Sequence, residues 1–192
     1  MGRVPMNEVQ QEWNDRLRNG TGGVTDLWGS RASQEARFAA LLRAVPAFRQ
    51  ILDVGCGYGD LLPWLAARGL HPEYQGVDVS DVAITTACSR HQGSFMHGTV
   101  HSVPGSYEVV FASGVCNLPI MQDHRQAFLE ACWLRTTGTM VVNFLSAEYE
   151  PKDPTALYTD PADALCWGLA LSKRVSLLHD YRDNDFTLIV RR

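Results

Sequence analysis

Apolar and polar positions along this chain follow a helical period up to about residue 46 and then switch to short apolar runs separated by helical stretches. Residues 7–19 and 33–45 form the two upstream helices. In the second, Phe38, Leu41, Leu42 and Val45 fall at i, i+3, i+4 and i+7 on one helical face, and Pro46 stops the run. Between them lies NGTGGVTDLWGS, whose Gly, Thr and Asn content marks a loop that could form a lid. From residue 50, apolar runs at 50–54, 74–79, 94–97, 108–113 and 139–145 read as strands, with helices at 60–68, 81–90 and 121–135. Phe128, Leu129, Cys132 and Trp133 cluster on one face of the last helix, as packing on a sheet requires. Strands alternating with helices imply a parallel sheet joined by crossover helices.

The pattern changes again near the C-terminus. After a loop at 147–160 and a helix at 161–172, two strand-like runs at 174–181 and 185–191 flank Arg182-Asp183-Asn184, which reads as an antiparallel hairpin. The 192 residues suit one domain, with residues 1–46 as an N-terminal helical cap or lid. There is no internal repeat.

Composition narrows the classes of function. Hydrophobic residues make up 45% and charged residues 20%, and no apolar run approaches the roughly eighteen residues of a membrane span. The N-terminal MGRVPMNEVQQEW lacks the apolar core of a secretory signal, so the expectation is a cytoplasmic protein. A net charge of −4 argues against nucleic acid as a partner. Cys56, Cys88, Cys116, Cys132 and Cys166 are widely spaced, which points to reduced thiols and no metal site.

The most informative segment is Ile51-Leu52-Asp53-Val54-Gly55-Cys56-Gly57-Tyr58-Gly59-Asp60, a buried strand entering a glycine-rich turn and then a helix. Glycines at 55, 57 and 59 let the backbone turn sharply and approach a ligand closely. A dinucleotide fingerprint, GxGxxG, needs glycine at 60, where Asp60 stands instead. A carboxylate at the helix start would repel a pyrophosphate, which disfavours NAD; Asp60 is expected to cap that helix. Asp78 ends the next strand, 19 positions after Gly59, near the spacing at which an acid meets ribose hydroxyls.

LDVGCGYGD followed by YQGVDVS resembles motifs I and II of the class I S-adenosylmethionine-dependent methyltransferases, over about residues 50–192. The resemblance implies a Rossmann-like α/β doubly wound sheet, seven strands in the order 3-2-1-4-5-7-6 with strand 7 antiparallel, and helices on both faces. It implies S-adenosyl-L-methionine as cofactor and S-adenosyl-L-homocysteine as product. Asp53, Gly55, Cys56, Gly57 and Gly59 would form the loop beneath the methionine portion, and Asp78, followed by Val79, would hold the ribose. Many members carry an Asp for the adenine amino group after the third strand. Here the stretch is Met96-His97-Gly98-Thr99-Val100, so the Thr99 hydroxyl and the Val100 amide become the adenine candidates. The terminal LLHDYRDNDFTLIVRR and the earlier RASQEARF are similar to small stand-alone bacterial and phage methyltransferases, a group without one shared substrate.

Ligands of open α/β sheets bind beyond the carboxyl ends of the strands, which brings in the loop Ser113-Gly114-Val115-Cys116-Asn117-Leu118-Pro119. Ser113 is a candidate cofactor contact and Asn117 a substrate contact, or both cap the strand end. His101, Tyr158 and His179 are the candidate general bases, with Tyr158 also a substrate candidate; each has a structural alternative. Arg37 either clamps a carboxylate through its planar fork or faces solvent. Trp28 either walls the acceptor pocket or packs on the sheet edge. A nucleic-acid amino-methyltransferase would carry N/D-P-P-Y/F after the fourth strand, where this chain has Cys-Asn-Leu-Pro. The function expected is methyl transfer to an O, N or S atom of a small molecule. Protein methylation and a non-catalytic cofactor-binding module are the alternatives.

Overall fold

A computed structural model describes residues 6–20, 22–23 and 27–192. Residues 1–5, 21 and 24–26, which carry part of the expected N-terminal cap and of the expected lid loop, lie outside the described residues. The helices are α1 (Met6–Arg18), α2 (Arg31–Ala44), α3 (Leu61–Ala66), α4 (Asp81–Arg90), α5 (Arg125–Leu134) and α6 (Pro161–Leu171). The strands are β1 (Gln50–Val54), β2 (Glu73–Asp78), β3 (Ser94–His97), β4 (Tyr107–Ala112), β5 (Thr136–Ser146), β6 (Tyr158–Thr159), β7 (Arg174–Arg182) and β8 (Asp185–Arg191).

Local chemistry sets several boundaries. α2 begins two residues earlier than its apolar spacing indicates, because the Ser30 hydroxyl accepts from the Ser33 amide at 3.1 Å and caps the first turn. It stops at Val45, whose extended backbone is what a residue before proline prefers. α4 is capped in the same way by Ser80, which accepts from the Ala83 amide.

The strands run in the order β3-β2-β1-β4-β5-β8-β7, with β1 to β5 parallel and β8 antiparallel between β5 and β7. This is the expected order. The numbering moves by one because the stretch expected to be loop contains β6, a two-residue strand that pairs with Leu145–Ser146. Such a short pairing carries no hydrophobic period, so nothing in the pattern of residues announces it.

Both faces of the sheet are covered, which is why its strands read as continuous apolar runs. Alternation along β4 sends Val110 and Ala112 toward α5 and α6, where they meet Leu129, Cys132 and Ala164. Val109 and Phe111 point to the other face, against Phe38 and Leu41 of α2 and Leu61, Trp64 and Leu65 of α3. The five thiols are free.

Arg37 is neither solvent-facing nor a ligand clamp. It is 7% exposed, and its guanidinium donates to both carboxylate oxygens of Asp185, at 2.7 and 3.1 Å. Asp185 is fully buried at the start of β8 and also meets Arg182 at 2.8 Å. The pair therefore fixes α2 onto the C-terminal hairpin.

Candidate active site

At the carboxyl ends of β1, β2 and β4 a cavity of about 790 Å³ opens. The turn after β1 forms its floor. Gly55 and Cys56 both donate their amides to the Val77 carbonyl, at 2.8 and 3.1 Å, so the turn is tied back onto β2. Gly55 and Gly57 hold positive φ, +73° and +54°, where a side chain would be strained. A Cβ on Gly57 would also stand 2.6 Å from the Leu27 side chain, and one on Gly55 would strike Val115. The glycines keep open a cradle lined by backbone.

Asp78 organises that cradle. One carboxylate oxygen accepts from the Gly57 amide and the other from the Ser80 amide, both at 2.9 Å. A carboxylate has about four lone-pair sites, so two remain for hydroxyls of a ligand on the cavity side. Burial raises its pKa above the ordinary value, against the pull of those backbone amides. Cys56 lines the same floor, and burial pushes its thiol well up, leaving it neutral.

Of the other residues singled out in the sequence, Val79, Thr99, Val100, His101, Ser113 and Trp28 also line the cavity. Thr99 accepts from the His101 amide through its hydroxyl at 3.2 Å, and His101 sits exposed at the rim. Six others lie elsewhere. Asp53 is buried beneath the turn, accepting from the Tyr74 hydroxyl at 2.6 Å. Gly59 faces the Phe95 ring. Asn117 accepts from the Leu145 amide at 2.9 Å, so its side chain pins the loop after β4 to β5. The Tyr158 hydroxyl accepts from the Asp153 amide at 2.8 Å. His179 is exposed on β7, edge-on to Phe186. Arg37 is committed to Asp185, as described above.

Asp60 does not cap its helix. Its backbone is already helical, and its side chain instead accepts from the Gln34 amide nitrogen at 2.8 Å, linking α3 to α2. The sequence reading also missed much of the cavity wall. Trp13 and Leu17 of α1, Leu118 and Met121 after β4, and Phe128 of α5 all line it. An apolar residue turned toward a cavity carries the same sequence signal as one turned toward the core, so periodicity cannot separate them.

Asp53 predicts a pH effect. Burial lifts its pKa to about 7, well above the 3.8 of an exposed aspartate. Below about pH 4 both folded and unfolded chains hold the proton and nothing is lost. As pH rises toward 7 the unfolded chain releases that proton while the folded chain keeps it, so stability falls through this window and then levels. The change is on the order of 4 kcal/mol, at about 1.4 kcal/mol per pH unit. Asp53→Asn should flatten that decline when denaturant unfolding is compared at pH 4.5 and 8; an unchanged slope would contradict the assignment.

A doubly wound parallel sheet with a glycine cradle after β1 and an acid at the end of β2 defines a Rossmann-like nucleoside-binding protein. Residues 51–137 match the family model described as a methyltransferase domain. Rv1506c of Mycobacterium tuberculosis, which is named as a methyltransferase, is 32% identical over 161 residues, covering 74% of this chain and 92% of the relative. The chain belongs to the class I S-adenosylmethionine-dependent methyltransferases. Among solved structures, magnesium protoporphyrin IX methyltransferase from Synechocystis PCC 6803, with S-adenosylmethionine bound, superposes with a TM-score of 0.73 at 18% identity, over 100% of this chain and 98% of that one. The CcbJ methyltransferase from Streptomyces caelestis gives 0.68 at 18% identity, over 92% and 96%.

The enzyme uses S-adenosyl-L-methionine and releases S-adenosyl-L-homocysteine, and the cavity suits that group. The turn presents bare backbone where a Cβ would clash, and Asp78 retains lone pairs for a sugar. When bound, this cofactor supplies a methyl group on a sulfonium, a leaving group so good that alignment of the acceptor is the main requirement.

Proposed function

We propose that this methyltransferase acts in the cytoplasm on a small molecule, at an O, N or S atom. The observation that carries this reading is the cavity at the strand ends, whose size falls within the range typical of small-molecule sites. Trp28, Leu118 and Met121 give it apolar walls, and its ionisable side chains among the described residues are Asp78, Glu130, His101 and the neutral thiol of Cys56, with no lysine or arginine. A nucleic-acid substrate would call for a basic surface to meet its phosphates. In this reading Gly55, Cys56, Gly57, Asp78 and Val79 hold the methionine and ribose portions, while Thr99 and Val100 hold the adenine. His101, at the rim, is the base candidate that lines the cavity.

The test is transfer of an isotopically labelled methyl group from S-adenosylmethionine into a cell extract split by size. Label should enter the fraction below about 1 kDa; label confined to protein or RNA would overturn the reading.

A further inference from the structure

Ala112, the last residue of β4, pairs with Val142 of β5, and the residue after each is polar: Ser113, just past the strand end, and Asn143. By the alternation of strand side chains, both point to the face covered by α2. Both are buried, 8% and 1% exposed, and the Ser113 hydroxyl oxygen and the Asn143 carbonyl oxygen Oδ1 have no hydrogen-bond partner among the described residues. Buried polar atoms are almost always paired, so two orphans side by side at the ligand-binding end of a sheet mark a place that something else completes.

We infer that Ser113 and Asn143 form the polar end of the acceptor subsite and that it takes a hydroxyl or amino group carried on an apolar body. The inference rests on the small-molecule reading above. The Asn143 amide is held in one orientation, because its nitrogen donates to the Tyr181 hydroxyl at 2.8 Å and to the Phe186 carbonyl at 3.2 Å. That leaves its oxygen as the unpartnered atom, and a carbonyl oxygen only accepts, so what completes it must donate. A carboxylate can take the Ser113 hydroxyl proton but leaves the Asn143 oxygen unpaired, so it binds less well.

The Tyr181 hydroxyl that holds Asn143 also meets Thr187 at 2.8 Å, which fixes the amide further. Ser113 lines the cavity directly, and Asn143 stands one strand further in, outside the cavity lining, so a donor meets its oxygen through a bridging water. The apolar body would rest on Trp28, Leu118 and Met121.

The probes are 4-propylphenol, 4-propylaniline, 4-propylbenzoate and propylbenzene, titrated by NMR into enzyme saturated with S-adenosylhomocysteine. The phenol and the aniline should bind about tenfold more tightly than the benzoate or the hydrocarbon, and should shift the Asn143 side-chain amide resonance. Ser113→Ala should weaken phenol binding more than it weakens S-adenosylhomocysteine binding. Equal binding of all four probes, no binding of phenol or aniline, or a larger effect of Ser113→Ala on S-adenosylhomocysteine would each overturn the inference. Binding is read without turnover, so an enzyme that labels no small molecule but discriminates among these probes contradicts the function proposed above and leaves the subsite standing.

Discussion

Asp185→Ala is expected to destabilise the fold by about 3–5 kcal/mol, because it strands the buried Arg37 guanidinium without its counter-ion. For a chain of this length that lowers the melting temperature by roughly 10 °C. Arg37 reaches Asp185 with two hydrogen bonds inside the protein, where water cannot replace a lost partner. The corresponding surface pair is the control. Arg43 on the same helix makes an equally well-formed contact with Asp180, but both are largely exposed, and Arg43→Ala should change the melting temperature little. Replacing the buried pair together, Arg37→Met with Asp185→Leu, should recover much of the loss, since the only charge then left without its partner is that of Arg182, which is partly exposed. Thermal unfolding of the variants decides this; equal effects of Asp185→Ala and Arg43→Ala would show that burial does not govern the pair.

The second large effect falls on the cofactor. Asp78→Ala removes the carboxylate that holds the Gly57 and Ser80 amides and, with them, the two lone-pair sites left for ribose hydroxyls. Hydrogen bonds to a charged group are worth about 1.5–3 kcal/mol each, so loss of the ribose pair alone should weaken S-adenosylmethionine by 100-fold or more. Calorimetry with S-adenosylmethionine and S-adenosylhomocysteine measures it. Both ligands should lose affinity in parallel, because the sugar is common to them, and an affinity unchanged from wild type would remove Asp78 from the site. Asp78→Asn should fall between the two, retaining one acceptor oxygen while adding a donor.

These two predictions differ in how readily the sequence suggests them. Asp78 can be singled out before any coordinates are considered, because strand, glycine turn, helix and strand-end acid follow one another within thirty residues and each step is a local property of the chain. The pairing of Arg37 with Asp185 joins residues 148 apart. No spacing rule connects them, and an arginine in a helix beginning RASQEARF reads as exposed until the hairpin is laid against it. Asn117 and Tyr158 belong to the same group. Their polar atoms looked free for a substrate, but the fold gives them the amides of Leu145 and Asp153.

Local periodicity and backbone chemistry thus determined the alternation of elements, the glycine cradle and the acid beside it, because each depends on neighbours within a few turns of chain, whereas the order of strands in the sheet was expected only from the family resemblance. Tertiary structure alone decided which polar groups were satisfied and which remained open. That Asp60 bonds Gln34 rather than its own helix, and that the Ser113 hydroxyl and the Asn143 side-chain oxygen have no partner among the described residues, follow from how distant segments pack. A side chain's partner is set by proximity in space, and proximity between residues far apart in the chain leaves no imprint on their spacing.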